Sequence, residues 1–477
     1  MGEARRRGSR EQRTSEAIKR TKKAAMEQMG IRADDPFQRA LKVALDAVLS
    51  RLTPEQWVER RKTVLEALNA REVNENLVES QSIRVREDEM GWYLFLCEQA
   101  INDPFCTDES QSQRILPFFA ALGFRWQYAH AVVGVERKLD EMLHAYRKQP
   151  DGHFFELLVA LSYAEAGWKV EFIEEQRGKK TADMYVTKGD ESYYVECKRM
   201  QRTADYSEKE RNEFLRLWEH GRDCLIENGQ WIWFQGTFHV EPSSLPDNYL
   251  RDIWEASLPI GLGERTLLDD EHATIRARLV DRTGVHRHMQ NFKVKANSAS
   301  MTRLIGGDWA PEDSPTTMIQ SILPSHVADC ESTSLGVYAE QVGFACGFTR
   351  AIDSEVSIEK KAKDIRKLLS EAVAQVPVDK PSIIHLAAET MEGKAVEHRR
   401  TQKLAETMPQ FDFKGAQVQL VRFHRIQAHQ RADIAFELDE TVDNLFSKVN
   451  QHIDVPYMVV APQDTRLNHG AHWDIYS

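Results

Sequence analysis

The amino-acid sequence predicts an α/β protein that begins with an all-helical region. Apolar residues recur at every third or fourth position through residues 35–148, which is the period of amphipathic helices. In residues 149–242, short strand-like runs follow one strongly apolar helix, and a further helix and strand complete the pattern. Helix and strand patterns alternate again in residues 351–477. Such alternation is typical of α/β folds, in which helices cover a sheet.

Length, charge and cysteine content limit the class of protein. A chain of 477 residues is too long for one ordinary core, so we expect about two to four packed units. The net charge of -11 excludes a protein that coats nucleic acid through its overall charge, and phosphate contacts must come from local positive patches. The six cysteines have no CxxC spacing, and no run of about 18 apolar residues occurs. We therefore expect a cytoplasmic protein that makes no membrane contact.

The N-terminal part divides into a basic tail and a helical domain. Residues 1–34 form the predicted tail, since residues 1–30 hold nine Lys or Arg residues, four Glu residues and few large apolar side chains. This composition fits a solvated tail, and it also fits an arm that holds nucleic acid. Residues 35–148 form the predicted helical domain, in which Thr53 and Pro54 carry a helix-start signal. One apolar helix face of this domain is formed by Phe37, Leu41, Ala44 and Val48.

Residues 149–242 are predicted to form a unit with the order helix, three strands, helix, strand. The first helix, DGHFFELLVALSYAEAGW, is strongly apolar, and the strands KVEFI, ADMYVTKG and SYYVECKR follow it. Ser207 and Glu210 form a capping box at the start of the second helix, and Gly229 ends that helix. The run WIWFQGTFHV is the last strand of this unit.

The rest of the chain leaves two arrangements open. Residues 243–350 have weak periodicity and are predicted to be an insertion or a substrate-recognition region of mixed strands and loops. The pattern in residues 351–477 is α/β, and its helix and strand at 357–387 would also suit the second helix and closing strand of the preceding unit. In that second arrangement, residues 205–350 are an insertion and the C-terminal region belongs to the same unit.

Three carboxylates interrupt apolar segments in the predicted unit. Glu156 lies within the helix run FFELLVAL, Asp183 enters the strand ADMYV, and Glu196 lies in the strand SYYVECKR. Because side chains alternate between the faces of a strand, Glu196 and Lys198 share one face while Cys197 lies on the other, with the core. Buried carboxylates are rare unless they are paired or bind a metal ion. This pattern favours a metal site.

A divalent metal ion accounts for this set of residues. Mg²⁺ prefers oxygen ligands and keeps several waters, so Asp183 and Glu196 would hold Mg²⁺ or Mn²⁺, with the backbone carbonyl of Cys197 as a further ligand. The ion would polarise a phosphate and lower the pKa of a bound water. Lys198 would stand beside that water, to help deprotonate it or to stabilise charge on phosphorus. Glu156 would orient a water of the metal shell or help to bind a second ion.

These residues and their order resemble the PD-(D/E)XK nuclease superfamily, which has the restriction-endonuclease-like fold. The core of that fold has a helix that often carries a glutamate, then a three-stranded meander, a helix and a strand. The signature of the family is an aspartate near the second strand, followed by Glu-x-Lys on the third. The resemblance covers roughly residues 150–242, about a fifth of the chain. The matching residues are Glu156, Asp183, Glu196, Cys197 and Lys198.

The resemblance implies a cofactor, a substrate and a set of catalytic residues. It implies cleavage of phosphodiester bonds, most often in DNA, with Mg²⁺ or Mn²⁺ as the cofactor. The proline that precedes the aspartate in the family is absent, because Thr181 and Ala182 stand there. The residues that the resemblance identifies as catalytic are Glu156, Asp183, Glu196 and Lys198.

Positive charge near these residues adds a prediction about substrate contacts. Residues 177–202 hold seven Lys or Arg residues and four acidic residues, which suits a polyanion bound around a metal ion. A solvated loop at 177–180 explains part of this charge equally well. The residues predicted to contact nucleic acid are Arg177, Lys179, Lys180, Arg199 and Arg202.

The sequence therefore predicts a metal-dependent endonuclease that acts on DNA, and the resemblance suggests a role in restriction or defence. Two alternatives stay open. One is a nucleic-acid-binding or assembly protein with a vestigial site, in which Glu196 and Lys198 only form a salt bridge. The other is a nuclease directed at RNA. The sequence also leaves open whether the chain acts alone, as a homo-oligomer or with a partner protein.

Overall fold

The computed structural model describes most of the chain from residue 35 onward and two short N-terminal segments. No helix in the described ranges is long and apolar enough to cross a bilayer. These ranges are 16–17, 20–23, 35–69, 78–79, 85–174, 181–200, 205–311, 314–327, 330–332, 334–362, 365–429, 437–448, 453–461 and 467–475.

The N-terminal region is mainly helical, as the sequence predicts, but it is not all-helical, because two short strands at Val78–Glu79 and Val132–Val133 lie within it and join the two sheets. Asp35 caps its first helix, because the side-chain oxygen accepts hydrogen bonds from the backbone N–H groups of Phe37 and Gln38. The apolar face of this helix is buried in a core that it shares with later helices. The α-helices, in chain order, are α1 (Pro36–Leu49), α2 (Pro54–Asn69), α3 (Glu89–Asn102), α4 (Glu109–Arg125), α5 (Val135–Leu143), α6 (Asp151–Glu165), α7 (Asp205–Asn228), α8 (Tyr249–Ser257), α9 (Arg282–Met289), α10 (Ala299–Gly306), α11 (Glu355–Lys361), α12 (Arg366–Val373), α13 (Lys394–Thr407) and α14 (His472–Ile475).

The strands of the described residues form two sheets, which are called the site sheet and the second sheet. The site sheet has the order β14-β13-β12-β5-β4-β3-β2, and the second sheet has the order β1-β10-β11-β6-β8-β7, with β9 paired to β11. The strands, in chain order, are β1 (Val78–Glu79), β2 (Val132–Val133), β3 (Lys169–Phe172), β4 (Met184–Lys188), β5 (Glu191–Arg199), β6 (Ile232–Phe238), β7 (Arg265–Asp269), β8 (Ala273–Leu279), β9 (Val294–Lys295), β10 (Thr316–His326), β11 (Val337–Ile352), β12 (Ser382–Glu389), β13 (Val418–His429) and β14 (Glu437–Ser447).

The chain leaves the site sheet after β5 and returns to it with β12. β3, β4 and β5 form the predicted antiparallel meander, and β12 runs parallel to β5 with Ile384 opposite Glu196. β6, the run WIWFQGTFHV, lies instead in the second sheet between β11 and β8. Its large side chains fill both cores of that sheet, since Trp233 packs on one face and Phe234 on the other. β6 therefore does not close the meander, and the strand pairing is that of the second arrangement.

Both faces of the site sheet are covered. On one face, Val195 and Cys197 of β5 pack with α6 and the N-terminal helices. On the other face, Ile384 and Leu386 of β12 pack with Leu369 of α12. β12 is buried at every position except its last residue, and this two-sided burial explains why its sequence, SIIHLAAE, is apolar without alternation.

Gly123 in α4 lies where this helix approaches α1 most closely. A Cβ atom at this position would stand 1.8 Å from the backbone oxygen of Ala40, so a side chain fits only if the helices separate. We expect Gly123→Ala to lower the free energy of unfolding by about 1–3 kcal/mol, the usual cost of overpacking. Gly152→Ala in α6 is the control, because nothing lies within 4 Å of its Cβ position and helix propensity favours alanine. Urea unfolding measures both variants, and equal stability would contradict the expectation.

Candidate active site

Asp183 lies directly before β4 and beside β5. The antiparallel register of these strands places Met184 opposite Val195. The residue before Met184 therefore lies next to Glu196. The Asp183 side chain takes the place of a backbone acceptor, because its Oδ2 accepts a hydrogen bond of 2.7 Å from the backbone N–H of Cys197. This bond orients the carboxylate beside the third strand of the meander.

Glu196 is fully buried in β5, with an exposed fraction of 0%. Lys198 Nζ lies 2.5 Å from Glu196 Oε1, yet neither carboxylate oxygen accepts a well-formed hydrogen bond from a described residue. Burial raises the pKa of Glu196 to about 7, and the Lys198 ammonium opposes this rise. The Lys198 ammonium compensates Oε1, but Oε2 has no hydrogen-bond partner among the described residues, and a buried oxygen in this state costs free energy, so this position favours a bound cation.

Glu156 projects from α6 and forms an ion pair with Lys138, a residue that was not predicted from the sequence to belong to the site. Lys138 of α5 places its Nζ 2.6 Å from Glu156 Oε2, and both side chains are nearly buried. Burial raises the pKa of Glu156, and Lys138 opposes the rise. One signal was present in the sequence: Lys138 shares the apolar stripe of its helix with Leu139 and Met142. A lysine on such a stripe usually needs a buried partner.

The four residues predicted to be catalytic form one electrostatic group. Burial, together with repulsion from Glu156 and Glu196, raises the pKa of Asp183 well above its ordinary value. Burial by itself would lower the pKa of Lys198, but attraction to Glu196 and Asp183 raises it overall. The Lys198 ammonium therefore stays protonated in this state. It is suited to stabilise negative charge and is poorly suited to abstract a proton.

Cys197 lies on the opposite face of β5, as the strand alternation predicts. The side chain is 3% exposed and packs in the core beneath the site sheet. Burial, together with the nearby Asp183 carboxylate, raises the pKa of its thiol well above the ordinary value. The thiol is therefore a core group and not a nucleophile, while the use of the Cys197 carbonyl as a metal ligand stays a prediction.

Arg199, the residue after the signature lysine, is turned away from solvent. Its side chain is 4% exposed and forms an ion pair with Glu389, and its guanidinium lies 5.0 Å from the centre of the Phe118 ring. This burial corrects the prediction that Arg199 contacts nucleic acid, because a phosphate cannot reach the paired guanidinium. The other predicted contacts lie outside the described residues: Arg177, Lys179, Lys180 and Arg202.

The donor set of the site is suited to a hard divalent cation. In the part of the chain that the structure describes, no group of three or more His, Cys, Asp or Glu side chains is arranged to hold a metal ion. Mg²⁺ commonly takes only one or two carboxylates from a protein and completes its shell with waters and substrate phosphate oxygens. Asp183 and Glu196 supply two neighbouring carboxylates, and Glu196 Oε2 has no hydrogen-bond partner among the described residues. These residues fit Mg²⁺ or Mn²⁺.

Comparison with protein families gives a match that covers this site. Residues 147–223 match the family model Mrr_cat, which is described as a restriction endonuclease. The matched segment contains α6, the whole meander and most of α7, and so it includes Glu156, Asp183, Glu196 and Lys198. No curated protein and no solved structure gives a significant match to the chain.

Proposed function

We propose, from the premise that residues 147–223 are a restriction endonuclease domain of the PD-(D/E)XK superfamily, that this chain is a metal-dependent endonuclease that cleaves DNA. One observation carries the proposal. Asp183 and Glu196 lie side by side at the meander, with Lys198 Nζ 2.5 Å from a Glu196 carboxylate that accepts no well-formed hydrogen bond from a described residue. A role in restriction or defence against foreign DNA, in the cytoplasm, is the setting that we propose for this activity.

Asp183 and Glu196 are the residues that would hold Mg²⁺ or Mn²⁺, together with the backbone carbonyl of Cys197. When bound, the ion supplies charge to polarise the scissile phosphate and to lower the pKa of a water. Before an ion binds, attraction to Glu196 and Asp183 raises the pKa of Lys198, and its ammonium is placed to stabilise the negative charge that develops on the phosphoryl oxygens. Glu156 accepts a hydrogen bond from a water near the site and orients it. Arg177, Lys179, Lys180 and Arg202 are the proposed contacts to the DNA backbone.

The vestigial-site alternative has one observation in its favour. The ion pair between Lys198 and Glu196 is what a purely structural role for these residues requires. The two interpretations differ in what they require of the second oxygen, because a structural ion pair does not explain why Glu196 Oε2 is buried without a partner among the described residues. Metal-linked stabilisation and cleavage distinguish them.

Cleavage assays on three polymers test the activity and name the substrate class. Plasmid DNA, single-stranded DNA and RNA are incubated with the protein and Mg²⁺ or Mn²⁺. We expect cleavage of DNA, and we expect Lys198→Met to lose at least about 100-fold in rate, as when one transition-state donor is removed. Lys169→Met, which removes an exposed lysine of β3, is the matched control and should cleave at the wild-type rate. Cleavage of RNA alone would support the RNA alternative, and equal rates in wild type and Lys198→Met would exclude this site.

The raised pKa of Glu196 gives metal binding a pH signature. In the metal-free fold this pKa is about 7 against an ordinary 4.5, so protonation stabilises the fold below about 4.5, and this contribution is lost as pH rises through about 7. Mg²⁺ favours the ionised carboxylate, and we therefore expect the Mg²⁺-induced rise in melting temperature to grow between about pH 6 and 8. Melting curves in Mg²⁺ and in EDTA measure this rise. Glu196→Gln should reduce this growth and leave the part due to Asp183, whose pKa is also raised, and an equal wild-type shift at both pH values would contradict the expectation.

A further inference from the structure

A buried lysine that is not part of the signature lies inside the site. Lys138 is 8% exposed, and its Nζ lies 2.6 Å from Glu156 Oε2 and 3.4 Å from Glu141 Oε2. The same ammonium lies 3.3 Å from His153 Nδ1 and 5.3 Å from the centre of the Phe172 ring. Two carboxylates, an imidazole and an aromatic ring thus surround this ammonium. Lys138 is therefore a fixed charge of the site and not a surface lysine.

The position of α5 fixes the position of this charge. Arg137 Nη2 donates a hydrogen bond of 3.0 Å to the backbone oxygen of Phe172 in β3. Gly134, at the start of α5, has a φ of +86°, and a Cβ atom there would stand 3.2 Å from Phe172 Cβ. Leu139 anchors the other side of the helix in the core. The helix is thus seated on the first strand of the meander, and this position directs the Lys138 side chain toward Glu156.

The charges of the site are nearly balanced before any metal ion binds. Glu156, Asp183 and Glu196 bring three carboxylates, and Lys138 and Lys198 bring two ammonium groups. One net negative charge remains when all five are ionised, and a single divalent cation reverses it to one net positive charge. A second divalent cation would bring the net charge to plus three in a poorly solvated site, which is strongly unfavourable.

We propose that the Lys138 ammonium occupies the place of a second cation, so that the site binds one divalent ion and Glu156 is a positioning residue rather than a metal ligand. This inference rests on the proposed metal-dependent function. One carboxylate oxygen of Glu156, Oε2, already pairs at 2.6 Å with Lys138. A second ion at this oxygen would have to displace the buried Lys138 ammonium. Glu141 contacts Lys138, and His153 contacts Glu156. Each of them can change the net charge of the site by at most one unit, which is less than the charge of a divalent ion.

The proposal predicts opposite effects from removing the two partners. In Lys138→Met, the Glu156 carboxylate is left uncompensated and attracts the metal ion, so Mn²⁺ affinity should rise roughly tenfold. In Glu156→Gln, the Lys138 ammonium is left uncompensated and repels the ion, so Mn²⁺ affinity should fall roughly tenfold. The double variant should return to near the wild-type affinity. A merely structural pair would instead weaken binding in both single variants.

Mn²⁺ titration of the full chain without nucleic acid tests the proposal, with calorimetry for affinity and electron paramagnetic resonance of free Mn²⁺ for stoichiometry. The expected result is one Mn²⁺ per chain in the wild type and the opposite shifts in the two single variants. Lys138→Arg keeps the charge and should keep the stoichiometry, and melting in EDTA verifies that each variant is folded.

Three results would overturn the proposal. Two Mn²⁺ ions of similar affinity in the wild type would overturn it and leave the proposed nuclease function intact. Weaker Mn²⁺ binding in both Lys138→Met and Glu156→Gln, with both variants folded, would also overturn the proposal and leave the nuclease function intact. No Mn²⁺ binding to the wild type at all would overturn the metal-dependent function together with this inference.

Discussion

Asp183→Asn is expected to abolish cleavage while it makes the metal-free protein more stable. The substitution removes the carboxylate charge that would hold the metal ion, and we expect the cleavage rate to fall by at least about 1000-fold. The amide oxygen of asparagine still accepts the hydrogen bond that the Cys197 backbone N–H donates at 2.7 Å. The local strand geometry is therefore kept, and the loss of activity reports on charge.

The gain in stability has a separate physical reason. Burial and repulsion from Glu156 and Glu196 raise the pKa of Asp183, so its ionised form destabilises the metal-free fold near neutral pH. Asparagine removes this repulsion, and we expect about 1 kcal/mol of added stability in EDTA, as for other relieved active-site charges. Urea unfolding in EDTA measures it. Glu171→Gln, at an exposed position of β3, is the control and should change neither property. A less stable Asp183→Asn would show that the carboxylate has a structural role.

Glu389→Gln is expected to cause the largest loss of stability of any substitution proposed here. Glu389, at the end of β12, accepts hydrogen bonds of 2.9 Å and 2.7 Å from Arg114 of α4 and also pairs with Arg199 of β5. The Glu389 side chain is 6% exposed, and those of the two arginines are 5% and 4% exposed. Glutamine leaves two buried guanidinium groups to share Asp151. Removing one partner of a buried ion pair typically costs about 3–5 kcal/mol.

A surface carboxylate with a similar set of partners is the matched control. Glu359 also pairs with two cations, Arg399 and Lys403, but its side chain is 51% exposed. Glu359→Gln is expected to cost less than about 1 kcal/mol, because exposed ion pairs contribute little. Urea unfolding of both variants at neutral pH compares the two effects. If Glu389→Gln is as mild as Glu359→Gln, the buried network contributes no more than a surface pair.

The Glu389 network also links the site to the closing strand. Arg199 follows Lys198 directly in β5, and Glu389 is the last residue of β12, the strand parallel to β5. Arg114 brings the same carboxylate into contact with the helical N-terminal region. The end of the site sheet that carries Lys198 is thus held by charges from three parts of the chain.

Local patterns in the sequence were enough to predict the elements and the core of the site. The fold class is confirmed, with a helical N-terminal region and a restriction-endonuclease-like helix and meander. Strand alternation correctly placed Cys197 in the core on the face opposite Glu196 and Lys198. These predictions succeeded because periods of two and of 3.6 residues are properties of a single segment. The roles of Asp183, Glu196 and Lys198 stay predictions until cleavage is measured.

Only the tertiary structure decided which distant segments meet. β6 and β12 are both apolar runs of strand length, and the pairing of β12 with β5 depends on which helices cover each sheet. Lys138 and Glu156 belong to different helices, so no period within either segment reveals their ion pair. Arg199 stands in a positively charged segment and was therefore predicted to contact phosphate. In the structure it instead forms an ion pair with Glu389, which belongs to a strand far along the chain. Whether a side chain is buried or paired depends on residues from distant parts of the chain. A pattern within one segment therefore predicts the secondary structure of that segment but not the partners of its side chains.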